Sequence, residues 1–77
     1  MLDKLIKIFI ELFGLERDEI NHDLSYHNYD QWDSLKHLNL VQRLEDVFDI
    51  EIEMDDIIAM ESFGVIIKIL NKYGVEI

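Results

Sequence analysis

The chain has 77 residues, contains no cysteine or proline, and carries a formal net charge of −10 at neutral pH. This length predicts one small domain over residues 1–77, and the absence of cysteine excludes disulfides, thiolate metal sites and thiol catalysis. Nucleic-acid binding is disfavoured because it needs basic side chains to neutralise phosphates. The acidic balance instead favours basic protein partners.

The negative charge is concentrated in one segment. Residues 44–61 contain eight acidic side chains and no basic ones. The simpler interpretation is a solvated surface that keeps a small domain soluble, and the functional one is a docking surface for basic proteins.

The first predicted element is an amphipathic helix. Apolar residues recur at helical spacing from Leu2 to Phe13, and Gly14 is a suitable left-handed stop. Charged residues interrupt the apolar ones, which is typical of neither a signal peptide nor a membrane span. We therefore expect a cytoplasmic protein that does not insert into membranes.

A long connection should follow over residues 14–32, where helical periodicity fades and polar residues are frequent. One helical turn is expected around residues 17–20. A loop of this length needs internal anchors or a function, and Trp32 is predicted to anchor its end, with an exposed contact as the alternative. The other candidate anchors are Leu15, Ile20, Leu24, Tyr26 and Tyr29.

A second amphipathic helix should begin at Asp33 or Ser34 and end near Phe48. Its apolar residues predict one buried stripe, flanked by Leu40 and Val47. The predicted stripe consists of Leu35, Leu38, Val41, Leu44 and Phe48.

The last third of the chain predicts two more helices. Residues 50–54 alternate apolar and acidic side chains, which alone indicates a strand, but a strand there would have no clear pairing partner. We therefore expect a connection, then a short helix over Asp55–Met60 and a fourth from the N-cap Ser62 to Tyr73. The fold class is all-α, a small four-helix bundle with three main helices and a short third one.

The candidate functional residue is Ser34, at the start of the second helix. The first backbone N–H groups of a helix lack intrahelical acceptors, and the helix dipole adds positive charge there, so the position suits a phosphate. The simpler interpretation is that Asp33 or Ser34 caps the helix and Leu35 packs beneath it.

The surroundings of this serine carry a family resemblance. The run from Trp32 to Ile52, WDSLKHLNLVQRLEDVFDIEI, resembles the acyl carrier proteins and the related peptidyl and aminoacyl carriers. The resemblance implies that Ser34, between Asp33 and Leu35, receives a 4′-phosphopantetheine arm from coenzyme A. The terminal thiol of the arm then holds acyl or aminoacyl groups as thioesters, and the carrier itself is not an enzyme.

The resemblance also implies partners. They are a phosphopantetheinyl transferase, acyl- or aminoacyl-loading enzymes, and downstream transferases or synthases with basic docking patches that meet a monomeric carrier. The side chains expected to contact them are Leu35, Lys36, Val41, Gln42, Glu45, Asp46, Ile52, Asp55 and Asp56.

Several residues depart from typical fatty-acid carriers. Lys36 and His37 follow the serine where acidic residues are common, and Gln42 replaces a common apolar contact. These differences favour a carrier for a specialised pathway. For Lys36 and His37 we consider both simple solvent exposure and a position near the phosphate of the arm or an acidic partner.

Three other functions are less consistent with the sequence. The chain could be an acidic helical interaction module without a prosthetic group, in which Ser34 is only a cap. Residues 49–56 could bind a divalent cation, but they lack the glycine-containing calcium loop, and we predict no specific metal site. A Ser34–His37 pair without an orienting acid is poor support for hydrolysis.

Overall fold

The computed structural model describes residues 2–77. Within that range the backbone forms four α-helices joined by irregular segments and one short 3₁₀ turn. The helices are α1 (Leu2–Phe13), α2 (Ser34–Phe48), α3 (Met54–Ala59) and α4 (Phe63–Lys72). The predicted all-α bundle with one short third helix is confirmed, and the predicted helix ends are correct to within one residue.

Helix α1 has the predicted bounds. Leu5, Ile8, Phe9 and Phe13 are buried, and their spacing of three to four residues places them on one face of the helix. The helix ends at Gly14, whose φ of 69° lies in the left-handed region that glycine adopts without steric cost.

The long connection between α1 and α2 packs on the core. Leu15, Leu24 and Trp32 are buried, and the predicted helical turn is present as a 3₁₀ turn over Arg17–Glu19. Trp32 is therefore an internal anchor, as expected. Tyr26 was wrongly predicted to be one, because its side chain is 42% exposed.

The same connection is bonded to the start of α4. The backbone N–H of Phe63 donates to the carbonyl of Leu24 at 2.8 Å, and that of Gly64 to the carbonyl of His22 at 3.2 Å. A Cβ atom at position 64 would lie 3.2 Å from that His22 oxygen, so glycine permits the close approach. The loop is thereby fixed to the bundle.

The inner face of α2 differs from the predicted stripe. Leu35 and Leu38 are 69% and 61% exposed, whereas Leu40, expected only at the flank, is fully buried. The inner face follows the spacing i, i+3, i+4, i+7 and i+11, which holds the helical period better than the predicted set. It consists of His37, Leu40, Val41, Leu44 and Phe48.

No strand pairing forms along residues 50–54, as expected. The connection is held instead by Glu45, whose carboxylate accepts the backbone N–H of Ile52 at 2.8 Å. The Ile52 side chain is buried in the core. Alternation in this segment therefore reflects buried Ile52 and half-buried Ile50 packed on the core, with exposed acidic residues between and after them.

A polar cluster joins α3 to the end of α4. Asp56 is buried, and its carboxylate accepts hydrogen bonds from the Lys72 ammonium at 2.7 Å and from the Tyr73 hydroxyl at 2.5 Å. The Tyr73 oxygen in turn accepts the backbone N–H of Glu53 at 2.9 Å. These bonds hold the N-terminal end of α3 against α4.

Aromatic rings fill the centre of the core. The Phe9 ring meets those of Phe63 and Trp32 nearly edge to face, with centroids 5.0 and 5.5 Å apart. This geometry is favourable for aromatic pairs. These contacts connect α1, α4 and Trp32, which lies two residues before Ser34.

Candidate prosthetic-group attachment site

Ser34 is the first residue of α2, and its side chain is exposed. Its hydroxyl makes no hydrogen bond to any of residues 2–77. Ser62 offers a contrast at the start of α4, because its half-buried hydroxyl accepts the N–H of Val65 at 3.2 Å and serves as the cap. Of the two serines at helix starts, only Ser34 presents an accessible and unengaged hydroxyl.

Asp33 is the cap of α2. Its carboxylate accepts the N–H of Lys36 at 2.9 Å, and its carbonyl accepts the N–H of His37 at 2.8 Å. The N–H groups of Ser34 and Leu35 have no acceptor within the described part of the chain. Two donors and the positive end of the helix dipole therefore lie beside the serine oxygen, so the residues present fit a phosphate esterified to Ser34.

A surface groove of about 470 Å³ is lined in part by Ser34. The start of α2, the end of the long connection and one side of α3 form its walls, which are mainly apolar. An elongated group attached to Ser34 has an apolar surface to lie against. The groove is lined by Tyr26, Trp32, Asp33, Ser34, His37, Leu38, Ile57 and Ile58.

Lys36 and His37 are half-buried and both side chains are hydrogen-bonded within the protein, so simple solvent exposure describes neither of them. The Lys36 ammonium donates to the carbonyl of Leu12 at 3.1 Å, near the C-terminus of α1. The His37 ring bonds to Trp32 at 3.0 Å and to the carbonyl of Ile57 at 2.8 Å. The alternative, a contact with the phosphate or an acidic partner, gains no support from these bonds.

The predicted partner contacts divide by burial. Exposed ones are Leu35, Gln42, Asp46 and Asp55, and half-buried ones are Lys36 and Glu45. The remaining three were wrongly predicted to face a partner: Val41 and Ile52 pack in the core, and the buried Asp56 is occupied by Lys72 and Tyr73. The helical spacing had already placed Val41 on the buried stripe of α2, whereas the burial of Ile52 and Asp56 depends on contacts with distant residues that no local pattern shows.

Three exposed apolar side chains on α2 and α3 were missed in the sequence: Leu38, Met54 and Ile58. Leu38 and Ile58 line the groove itself. A signal for Leu38 was available, because it lies off the stripe that Leu40, Val41 and Leu44 define. Leu35, Leu38 and Ile58 place apolar surface on α2 and α3 beside the candidate site.

Two further observations limit the chemistry. Among residues 2–77, no three His, Cys, Asp or Glu side chains are grouped to hold a metal ion, which leaves the alternative of a cation site at residues 49–56 without support. None of the described helices is both long and apolar enough to cross a membrane.

Comparison with known proteins agrees with this geometry. The family model described as "Phosphopantetheine attachment site" matches residues 3–76. The chain is also 30% identical to the acyl carrier protein of Lactobacillus johnsonii over 73 residues, which cover 95% of this chain and 91% of that protein. Members of this family carry 4′-phosphopantetheine as a covalent prosthetic group. The chain belongs to the acyl carrier protein family.

Proposed function

We propose that Ser34 is the attachment point of the 4′-phosphopantetheine arm and that the chain carries acyl or aminoacyl groups on it as thioesters. The observation that carries the proposal is the exposed, unbonded hydroxyl of Ser34 at the first residue of α2. It lies in an Asp-Ser-Leu sequence within the matched family region. Residues 1–77 then act as a single carrier domain.

The chain's own residues hold and present the attached group. The N–H groups of Ser34 and Leu35 stabilise the phosphate charge, while the Asp33 carboxylate is turned to the N–H of Lys36 and fixes the helix start. The arm, when bound, supplies the thiol that this cysteine-free chain lacks. Presentation on a rigid helix end lets the cargo reach the active sites of partner enzymes.

Catalysis falls to the partners, since carriers of this family are in general not enzymes. A phosphopantetheinyl transferase attaches the arm to Ser34, with coenzyme A as the donor. His37, three residues after Ser34, does not activate it, because both ring nitrogens of His37 are bonded to Trp32 and Ile57.

The first prediction concerns the attachment itself. Incubation with coenzyme A and a promiscuous phosphopantetheinyl transferase is expected to add one arm to the wild type and none to Ser34→Ala. The reason is that only an exposed hydroxyl can reach the transferase active site. Intact-mass spectrometry measures the product.

Ser25→Ala is the matched control, and it should accept one arm like the wild type. An unmodified wild type across several transferases would favour an acidic interaction module without a prosthetic group. Modification of Ser34→Ala would move the attachment point elsewhere.

The partners are expected to dock near Ser34 through basic patches. Exposed acidic residues such as Asp46 and Asp55, together with exposed Leu35, supply the complementary surface on this monomeric carrier. We place the protein in the cytoplasm and assign it to a specialised biosynthetic pathway. The support for the pathway is that the first turn of α2 contains no acidic residue.

A loading assay tests the specialised pathway. With the arm attached, a malonyl transferase of general fatty-acid synthesis is expected to load this carrier with a kcat/KM at least about tenfold below that for a housekeeping carrier. A loss of about 1.4 kcal/mol of contact free energy between carrier and transferase is enough for this difference. The measurement compares both carriers at equal concentration. Equal efficiency would contradict the assignment.

A further inference from the structure

His37 connects three parts of the fold beside the groove. It lies on α2, one turn after Ser34. Its Nδ1 atom accepts the Nε1–H of Trp32 at 3.0 Å, and its Nε2 atom lies 2.8 Å from the carbonyl oxygen of Ile57 in α3. The His37 and Trp32 rings lie side by side with their planes inclined by 25° and their centroids 6.1 Å apart.

These two partners fix the proton on the ring. An indole N–H can only donate, so Nδ1 of His37 must be unprotonated, and a carbonyl can only accept, so Nε2 must carry the hydrogen. Both nitrogens are thereby satisfied by the protein. The ring has no polar atom left for a phosphate or for the Ser34 hydroxyl.

The bond to Ile57 matters because α3 is only six residues long. A helix of this length is not stable by itself, so contacts with the rest of the fold determine its position. Asp56 and Glu53 hold its N-terminal end against α4 through Lys72 and Tyr73. His37 binds a carbonyl of its last turn and so holds the opposite end against α2.

The position of α3 in turn determines the groove. Ile57 and Ile58 form the α3 wall, and Ser34, His37 and Leu38 the α2 wall. A change in the distance between these walls changes the surface next to the attachment point. His37 therefore bonds the backbone of Ile57, a residue that also lines the groove.

We propose that His37 is a positioning residue of the attachment site: by bonding Trp32 and Ile57 it holds α3 against the start of α2 and keeps the groove formed. This inference rests on the proposed function of Ser34. His37 touches neither the serine oxygen nor the reaction. It increases the fraction of molecules in which the groove has the shape that partner enzymes bind.

The experiment compares wild type, His37→Phe and Asn39→Ala. Phenylalanine keeps a ring at position 37 but removes both hydrogen bonds, while Asn39 is an exposed neighbour on the same helix and serves as the matched control. Nitrogen-15 NMR of the wild-type ring is expected to show an unprotonated Nδ1 and a protonated Nε2 near neutral pH.

Amide hydrogen exchange of α3 provides the structural measurement. In His37→Phe, exchange at residues 57–59 should accelerate about tenfold, since losing one or two net hydrogen bonds has about this effect on local opening. Exchange in α1 should stay unchanged. Asn39→Ala should match the wild type throughout.

Arm transfer provides the functional measurement. His37→Phe is expected to raise the KM of the carrier for the transferase about fivefold with kcat unchanged, because fewer molecules present the formed surface while the transferase chemistry is the same. A general loss of structure would instead lower the amount of reactive carrier, and far-ultraviolet circular dichroism checks for it.

Several outcomes overturn the inference. They are a protonated Nδ1 in the folded wild type, exchange and KM in His37→Phe equal to those of Asn39→Ala, or a fall in kcat at constant KM. A wild type that accepts no arm overturns the proposed function, whereas the NMR and exchange results still decide whether His37 positions α3. A variant that fails to fold leaves the wild-type tautomer as the deciding measurement.

Discussion

Single positions on α2 decide which side chains are core and which are surface. Leu35 and Leu40 are the same residue type on one helix, yet Leu35 is 69% exposed and Leu40 is fully buried. The difference follows from helical phase, because Leu40 shares a face with Val41 and Leu44 and Leu35 does not. Leu35 is therefore available to partners beside Ser34 and contributes little to the core.

Truncation of these two leucines should have very different effects on stability. Leu40→Ala is expected to lower the free energy of unfolding by about 2–5 kcal/mol through lost burial and a cavity. Leu35→Ala should change it by less than about 0.5 kcal/mol, as for other exposed sites. Urea unfolding followed by circular dichroism measures both.

Equal losses in the two variants would contradict the observed phase of α2 and restore the stripe predicted from the sequence. Leu38→Ala serves as a second exposed control, and it should behave like Leu35→Ala.

The position of α3 is determined by its contacts with neighbouring elements. Hydrogen bonds from the Lys72 ammonium and then the Tyr73 hydroxyl hold the pKa of the Asp56 carboxyl below its ordinary value of 3.8, although partial burial opposes the shift. The Asp56 carboxylate raises the pKa of Lys72 above 10.5 in return. The charged pair therefore stabilises the contact between α3 and α4 at neutral pH.

The shift of Asp56 predicts a pH-dependent contribution to stability. Because its pKa is lower in the folded than in the unfolded chain, the contribution is complete above the ordinary value of 3.8 and is lost as the pH falls toward the folded value. Asp56→Asn should be less stable than the wild type at neutral pH. The difference should shrink in acid, as measured by urea unfolding across the pH range.

Asp55→Asn is the matched control, because Asp55 is exposed on the same turn of α3. It should show almost no pH-dependent difference from the wild type. A constant difference between Asp56→Asn and the wild type at all pH values would argue against the role of the charged pair.

On the scale of the whole molecule, the fold separates charge. The chain is compact, with a radius of gyration of 11.2 Å. Residues 44–61, with eight acidic side chains and no basic ones, cover the end of α2, α3 and the segment between them. Lys4, Lys7 and Arg43 instead line a surface between α1 and α2 that also contains Glu11, the ion-pair partner of Arg43. Such separation can orient the carrier as it approaches a basic partner.

Salt should therefore slow association with partners. The on-rate with a phosphopantetheinyl transferase is expected to fall as ionic strength rises, because exposed charges are screened beyond about 8–10 Å at physiological salt. Stopped-flow mixing at several salt concentrations measures it. A salt-independent rate would remove the acidic segment from the docking surface.

Much of the fold could be predicted from the sequence because its signals are local. Helical spacing, the cap residues Asp33 and Ser62, and the left-handed stop Gly14 act within one or two turns. The serine at the start of α2 was identified in the same way. The errors in burial, at Tyr26, Leu35, Leu38, Ile52 and Asp56, all concern which side of an element meets another element.

The sequence by itself determined the helices, their order, the family and the candidate serine, since capping, periodicity and the Asp-Ser-Leu run are encoded in neighbouring residues. Only the tertiary structure decided how α3 is held and how the groove beside Ser34 is formed. His37 is twenty residues from Ile57 along the chain, and Asp56 is sixteen from Lys72. No local pattern specifies such pairs, because they exist only when packing brings α2, α3 and α4 together.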